Sequence, residues 1–230
     1  APVIDERPSV LLVAHCFVTE RFAGVELYTY RMARELIKAG WRVGVLYPRE
    51  VPQAAGGQIV RSQYEGIEVF RLDLPDTRQY VLKDSDPAVD AAIKSVIETN
   101  RFSVVHFHHF AYLPLSAVTA AVATGRSVTA TLHDFWLICP RGHLYDYRQQ
   151  GPCLSWRGVA GCPADLLGRP SDALSEDQRR AYEQALLLRR RSGVQVLKQL
   201  TMLSAPSQFV IDVFHEAGFK DLAIVKAPLG

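Results

Sequence analysis

Short, nearly continuous apolar runs alternate with segments of helical period along almost the whole sequence. The runs are Ser9–His15, Trp41–Tyr47, Ser103–His108, Ser127–Leu132, Thr201–Ala205 and Asp221–Ala227. Runs of this length, rich in Val, Leu and other apolar residues, suit strands inside a sheet. The segments between them carry apolar residues every three or four positions, which is one face of a helix.

Strand, helix, strand in repeated order argues for the α/β class: a Rossmann-like parallel sheet flanked by helices. The first unit shows the logic. Val25, Tyr28, Met32 and Leu36 line one helix face, while Arg31, Arg34, Glu35 and Lys38 take the other. Gly40 is placed to end this helix, and Pro48 is expected to stop the strand that follows. Parallel strands so joined need a right-handed crossover. Gln58–Gln63 and Gly66–Asp73 alternate apolar and polar residues and are expected to pair as short strands. Asp86 and Pro87 read as the cap and first residue of a helix presenting Val89, Ile93, Val96 and Ile97 on one side. Further helices are expected from about Tyr112 to Thr124, from Ser175 to Ser192 with Gly193 breaking it, and from Ser207 to Ala217. Pro140–Ser171, rich in Gly, Pro, Arg and Cys, lacks a period and is expected to be a functional loop or lid.

Composition narrows the function classes. In 230 residues, 48% are apolar and 22% charged, an ordinary globular balance able to bury a core. A formal net charge of +2 gives no global case for nucleic acid binding. No apolar run is long enough for a transmembrane helix, and residues 1–8 lack a signal-peptide apolar region. Four cysteines in a chain of this length do not suggest a disulfide framework. A cytoplasmic protein with reduced thiols is the expectation.

Several residues could carry chemistry. His133 and Asp134 follow the strand Ser127–Leu132, where open α/β sheets place their ligands. A His-Asp pair there can bind a polar ligand; a structural His beside a capping Asp is the alternative. His106, His108 and His109 cluster at another strand end. His108 and His109 are candidates for a polar ligand, with a metal site as the weaker reading because no carboxylate has matching spacing. Gly24 opens a helix, where free N–H groups and the helix dipole favour an anion; a tight-turn glycine would look the same. Neither GxGxxG nor GxxxxGK[ST] occurs, so no dinucleotide or P-loop site is expected. Cys139, Cys153 and Cys162, with His143 nearby, could hold zinc, but their spacing is not that of a Cys-x-x-Cys knuckle, and free or packed thiols are expected instead. Arg179, Arg180, Arg189, Arg190 and Arg191 enrich one helix; a solvated face is favoured over peripheral membrane contact because Glu176, Asp177 and Glu183 dilute the charge.

Taken in order, these pieces resemble the N-terminal half of a retaining glycosyltransferase of family four, on the GT-B fold. Ala23-Gly24-Val25-Glu26 is similar to the family's GGxE helix start, and Ala39-Gly40-Trp41-Arg42-Val43 to its GHxV strand. Phe102–His108 is similar to F-D-V-V-H-x-H, and Thr129–Trp136 to the T-x-H-D segment. Leu203–Phe209 and Val225–Gly230 look like the late strand–Ser–helix and closing I-P-N-G elements. Ala23 departs from the first Gly of the pattern. The resemblance implies an acceptor-side domain over residues 1–230 and a donor-binding C-terminal domain, with an E-x7-E motif, absent from this chain. It further implies a nucleotide sugar as co-substrate, with no other cofactor and no metal, and a glycan, lipid or small-molecule acceptor. Gly24 would lie against the donor diphosphate, and His133 would hydrogen-bond the transferred sugar. A non-enzymatic α/β module binding a sugar or nucleotide is the competing class, and a stand-alone flavodoxin-like regulator is a third.

Overall fold

The computed structural model describes residues 7–146, 150–153, 156 and 174–229. The chain forms two compact units. One comprises Ala1–Thr131 with Gln199–Met202, the other Leu132–Lys198 with Leu203–Gly230.

In the first unit six strands form a mostly parallel sheet in the order β6-β5-β1-β2-β4-β3. They are β1 (Ser9–Val13), β2 (Arg42–Glu50), β3 (Gln58–Tyr64), β4 (Ile67–Leu74), β5 (Val104–Phe107) and β6 (Ser127–Thr131). The central strand β1 runs parallel to β2 and to β5, and all five of its residues are buried. Helix α1 (Gly24–Lys38) packs Ala33, with Met32, Leu36 and Ile37, on the core formed by Val10, Leu12, Val43 and Val45. Gly40 adopts φ +86 just past the helix end, as its position predicts. Helix α2 (Pro87–Thr99) is capped as expected: the Asp86 side chain accepts from the N–H groups of Ala88 and Val89, and Val89, Ile93, Val96 and Ile97 are buried. β3 and β4 form the antiparallel hairpin anticipated from alternation. Their turn is Glu65-Gly66, both at positive φ (48 and 83), the backbone a two-residue hairpin requires.

Two expectations in this unit need correction. Pro48 does not stop β2, which continues to Glu50. Leu46 accepts from Ala14 N–H, so it faces β1, and by alternation Pro48 faces that side too; β1 has already ended, so no ladder bond is lost. Helix α3 (Ser116–Val122) begins later than Tyr112. Tyr112 sits at φ 65, and Pro114 keeps the residue before it out of the helical region.

The second unit contains helix α4 (Glu176–Leu197), the parallel strand pair β9 (Met202–Ala205) and β10 (Ile224–Lys226), and helix α5 (Gln208–Phe214), which runs into a π-helical turn, His215–Phe219. A short antiparallel pair, β7 (Tyr145–Asp146) and β8 (Gly151–Pro152), lies within the segment expected to be a lid; most of that segment's remainder, residues 157–173, is outside the described residues. Ser175 and Gln178 form a capping box that starts α4. Gly193 does not break α4. The helix passes through it, and the Phe219 ring and Leu137 pack against the bare backbone there. Nor is the arginine-rich face wholly solvated. Arg189 and Arg190 are 2% and 9% exposed. The Arg189 guanidinium lies 4.8 Å from the Trp136 ring centroid, and Arg190 donates two bonds, 3.2 and 2.9 Å, to the Ile138 carbonyl. Among the described residues no helix is long and apolar enough to cross a membrane.

Candidate functional site

In the first unit the chemistry gathers where β1 and β5 end. The chain leaves β1 through Ala14 to His15 and enters α1 after Ala23, whose extended backbone offers no side-chain cap to the helix start. Gly24 is exposed, and a side chain built on it would meet nothing within 4 Å. The first turn of a 15-residue helix is therefore open on its outer side.

Beneath this opening lies Glu26, with a side chain only 1% exposed. Its Oε1 is 3.2 Å from His15 Nε2. Burial pushes the Glu26 carboxyl up, but His15, its own backbone N–H and Arg21 more than offset this, and its pKa lies below the ordinary value. A carboxylate in the first turn is also favoured by the helix dipole. The His15 ring then contacts His109 (4.2 Å between centroids) and Tyr112 (6.1 Å).

Of the histidines of β5 and its exit, His109 joins this pair, while His106 and His108 contact each other. His106 lies between two hydroxyls, Thr129 Oγ1 at 2.7 Å from Nδ1 and Thr131 Oγ1 at 3.1 Å from Nε2. His108 is fully buried, 4.5 Å from His106 and edge-on to Tyr28 at 5.5 Å. His109 is 6% exposed, and its Nδ1 accepts from the Ala111 N–H at 2.9 Å, which leaves the ring proton on Nε2 when His109 is neutral.

His133 and Asp134 belong to the second unit. Leu132 N–H donates to the Ser204 carbonyl at 2.8 Å, and this sheet-type bond fixes the backbone immediately before His133, which is half-buried. Asp134 Oδ1 accepts from the Trp136 N–H at 2.9 Å, the capping arrangement considered for it. The turn closes through Phe135 N–H to the Gly142 carbonyl. Gly142 is at φ +75, and a Cβ there would lie 2.7 Å from Asp134 Oδ2, so the turn accepts only glycine.

Cys16, Cys139 and Cys153 are free thiols, and burial raises the pKa of Cys16; Cys162 lies outside the described residues. Among the described residues no three His, Cys, Asp or Glu side chains are grouped to hold a metal. Sequence reasoning missed His15 and Glu26 as site residues. The signal for His15 was available, since it follows a buried strand as His133 does. Glu26 stands in the sequence as the last residue of the Ala23-Gly24-Val25-Glu26 motif, and its burial is seen only in the fold.

The sequence model of Glycosyltransferase Family 4 matches residues 22–226. No curated protein sequence matches the chain. Among solved structures, the sucrose-phosphate synthase of Thermosynechococcus elongatus is similar at TM-score 0.55 and 11% identity, over 96% of this chain and 48% of that one. The catalytic domain of Starch Synthase IV from Arabidopsis thaliana, bound to ADP and acarbose, gives 0.50 and 11%, over 97% and 52%. A UDP-forming α,α-trehalose-phosphate synthase from Burkholderia xenovorans, in complex with glucose-6-phosphate, gives 0.50 and 10%, over 93% and 43%. The chain thus spans about half the length of these GT-B glycosyltransferases and shares their fold. With a match over nearly its whole length, the chain belongs to Glycosyltransferase Family 4, with the fold of the family's N-terminal domain.

Proposed function

We propose that this chain is the acceptor-side half of a glycosyltransferase that moves a sugar from a nucleotide-sugar donor to an acceptor with retention, and that the donor-binding half lies outside these 230 residues. The observation that carries the reading is the family match across residues 22–226. Two similar structures were solved with ADP or named for forming UDP, in keeping with a nucleotide-sugar donor.

Each candidate residue then takes a role its own surroundings support. The open first turn of α1 at Gly24 offers N–H groups to the donor diphosphate, and stabilisation of charge on that leaving group is where such a helix end lowers the barrier. His133, fixed by the strand before it, hydrogen-bonds the transferred sugar. Asp134 holds the turn that carries His133. His108 and His109, the candidates for a polar ligand, are buried in the first unit, as is Glu26 beside His15.

The test is sugar transfer by the full-length protein across a panel of nucleotide sugars, with the anomeric configuration of the product read by NMR. Turnover with retained configuration is expected. No turnover with any donor, or an inverted product, overturns the reading. Calorimetry on the 230-residue chain alone should show no micromolar binding of any nucleotide sugar.

A further inference from the structure

Glu26 is a buried carboxylate at the third position of α1, the helix whose start is proposed above to hold a diphosphate. Its own backbone N–H helps to lower its pKa, so the carboxylate bends back toward that helix start. Its Oε2, though buried, has no hydrogen-bond partner among the described residues. A diphosphate brought to α1 therefore meets a negative charge already in place, out of solvent and weakly screened. Like charges that close weaken binding unless a proton compensates one of them.

His15 is placed to take that proton. Its Nε2 is 3.2 Å from Glu26 Oε1, and its Nδ1 is buried with no hydrogen-bond partner among the described residues. A neutral imidazole that keeps its proton on Nε2, facing the carboxylate, has Nδ1 free for a second. The neighbouring groups suit the task less well. His109, 4.2 Å away between ring centroids, already uses Nδ1 to accept from the Ala111 N–H, and a proton there breaks that bond. Burial raises the pKa of the Cys16 thiol, which keeps it neutral. Arg21 and Glu20 stand in the same loop, and Tyr112 packs on the His15 ring. A guanidinium, a carboxylate and a phenol do not gain a proton near neutral pH.

We propose that His15 takes up a proton when the donor diphosphate binds at the start of α1, and is thereby the positioning residue that lets a buried carboxylate and an anionic ligand share one helix end; this rests on the function proposed above. The imidazolium acts through Glu26. It cancels the charge that repels the ligand and leaves the α1 N–H groups to attract it. The proton comes from solvent and returns to it when the diphosphate departs.

Calorimetry on the full-length protein tests this with the nucleotide sugars of the panel above, UDP-glucose and ADP-glucose among them, in two buffers of different ionisation enthalpy. A nucleotide sugar carries its diphosphate as a diester, with no proton to exchange near neutral pH, so any net uptake belongs to the protein. The wild type should take up protons and bind about tenfold more tightly at about pH 6 than at about pH 8, the yield of a shift of about one unit. Glu26→Gln removes the charge and keeps the shape. It should take up none, and at about pH 8 it should bind as tightly as the wild type does at about pH 6. His15→Gln should take up none and bind weakly at both. A purely structural pair gives the opposite result for Glu26→Gln, which would then bind more weakly than the wild type. No net uptake by the wild type, uptake that survives in His15→Gln, or wild-type pH dependence in Glu26→Gln overturns the inference. Should His15→Gln not fold, the affinities of Glu26→Gln decide. A full-length protein that binds no nucleotide sugar sinks the function proposed above and this inference with it; binding and turnover without proton uptake sink this inference alone.

Discussion

His15 Nε2 stands 3.2 Å from Oε1 of Glu26, and that carboxylate is buried inside the first turn of α1. Removing the imidazole leaves the carboxylate with only the helix start and the charge of Arg21 to stabilise it. His15→Ala should therefore cost about 2–3 kcal/mol at neutral pH, less than the roughly 3–5 kcal/mol of a fully buried pair because His15 itself is partly exposed. Glu26→Gln, which removes the charge and keeps the shape, should cost less. Urea denaturation of both variants checks the order.

The same pair sets a pH dependence. The folded-state pKa of Glu26 is lowered, so its ionisation contributes stability that is present above the unfolded value and lost as pH falls through the folded one. Below about pH 4, where carboxyls begin to protonate, the wild type should lose stability faster than Glu26→Gln. Melts of the two proteins from pH 7 down to about pH 3 should converge; curves that stay parallel would show that Glu26 does not contribute.

Two glycines make opposite predictions. A Cβ on Gly44 would lie 2.5 Å from Phe102 Cζ and 3.0 Å from Phe70 Cε2. Both rings are buried and interlocked, so Gly44→Ala should destabilise by about 2–3 kcal/mol. A Cβ on Gly193 would lie 3.6 Å from the Phe219 ring, at ordinary contact distance inside a continuous helix. Gly193→Ala should stabilise by about 1 kcal/mol. Thermal melts of the two variants should move in opposite directions.

Arg190 forks onto one carbonyl, that of Ile138, from a nearly buried position. Arg190→Met should cost about 2 kcal/mol, because the Ile138 carbonyl loses charged donors. Arg190→Lys should recover only part of it, since an ammonium cannot supply two parallel donors. Equal stability of the Lys variant and the wild type would show that charge alone suffices.

For the proposed activity, His133→Ala in the full-length protein should lower kcat by about 10²-fold, the usual effect of losing one positioned transition-state hydrogen bond. The melting temperature should hardly move, since His133 is outside the core. Steady-state kinetics and a melt on one preparation decide it: unchanged kcat, or unfolding, would make His133 a structural histidine.

What the sequence made legible was what local chemistry decides. Asp86 and Pro87 start α2 through groups two and three residues away, and Glu65-Gly66 sets the hairpin with its own backbone. The strand ends that carry His106, His108 and His133 were likewise visible as β-rich runs stopping at histidine. What stayed hidden depends on residues distant in sequence. Glu26 is visible in the sequence as a motif residue, but its burial beside His15, eleven positions earlier, is not. Arg189 and Arg190 read as solvated because Trp136 and the Ile138 carbonyl, their partners, lie some 50 residues back. Gly193 reads as a breaker until Phe219 is seen packing on it.

The central place of β1 has a consequence in time. β1 is made first among the strands, yet its partner on one side arrives only with Val104, paired to Val10 across 94 positions. At typical elongation rates of 5–20 residues per second, that interval is roughly 5 to 20 seconds. Throughout it, the edge of β1 that β5 will cover has no partner, while the β3–β4 hairpin, closed by a two-residue turn, can form in microseconds once made. The most buried strand of the first unit is therefore the one whose pairing during synthesis is completed late.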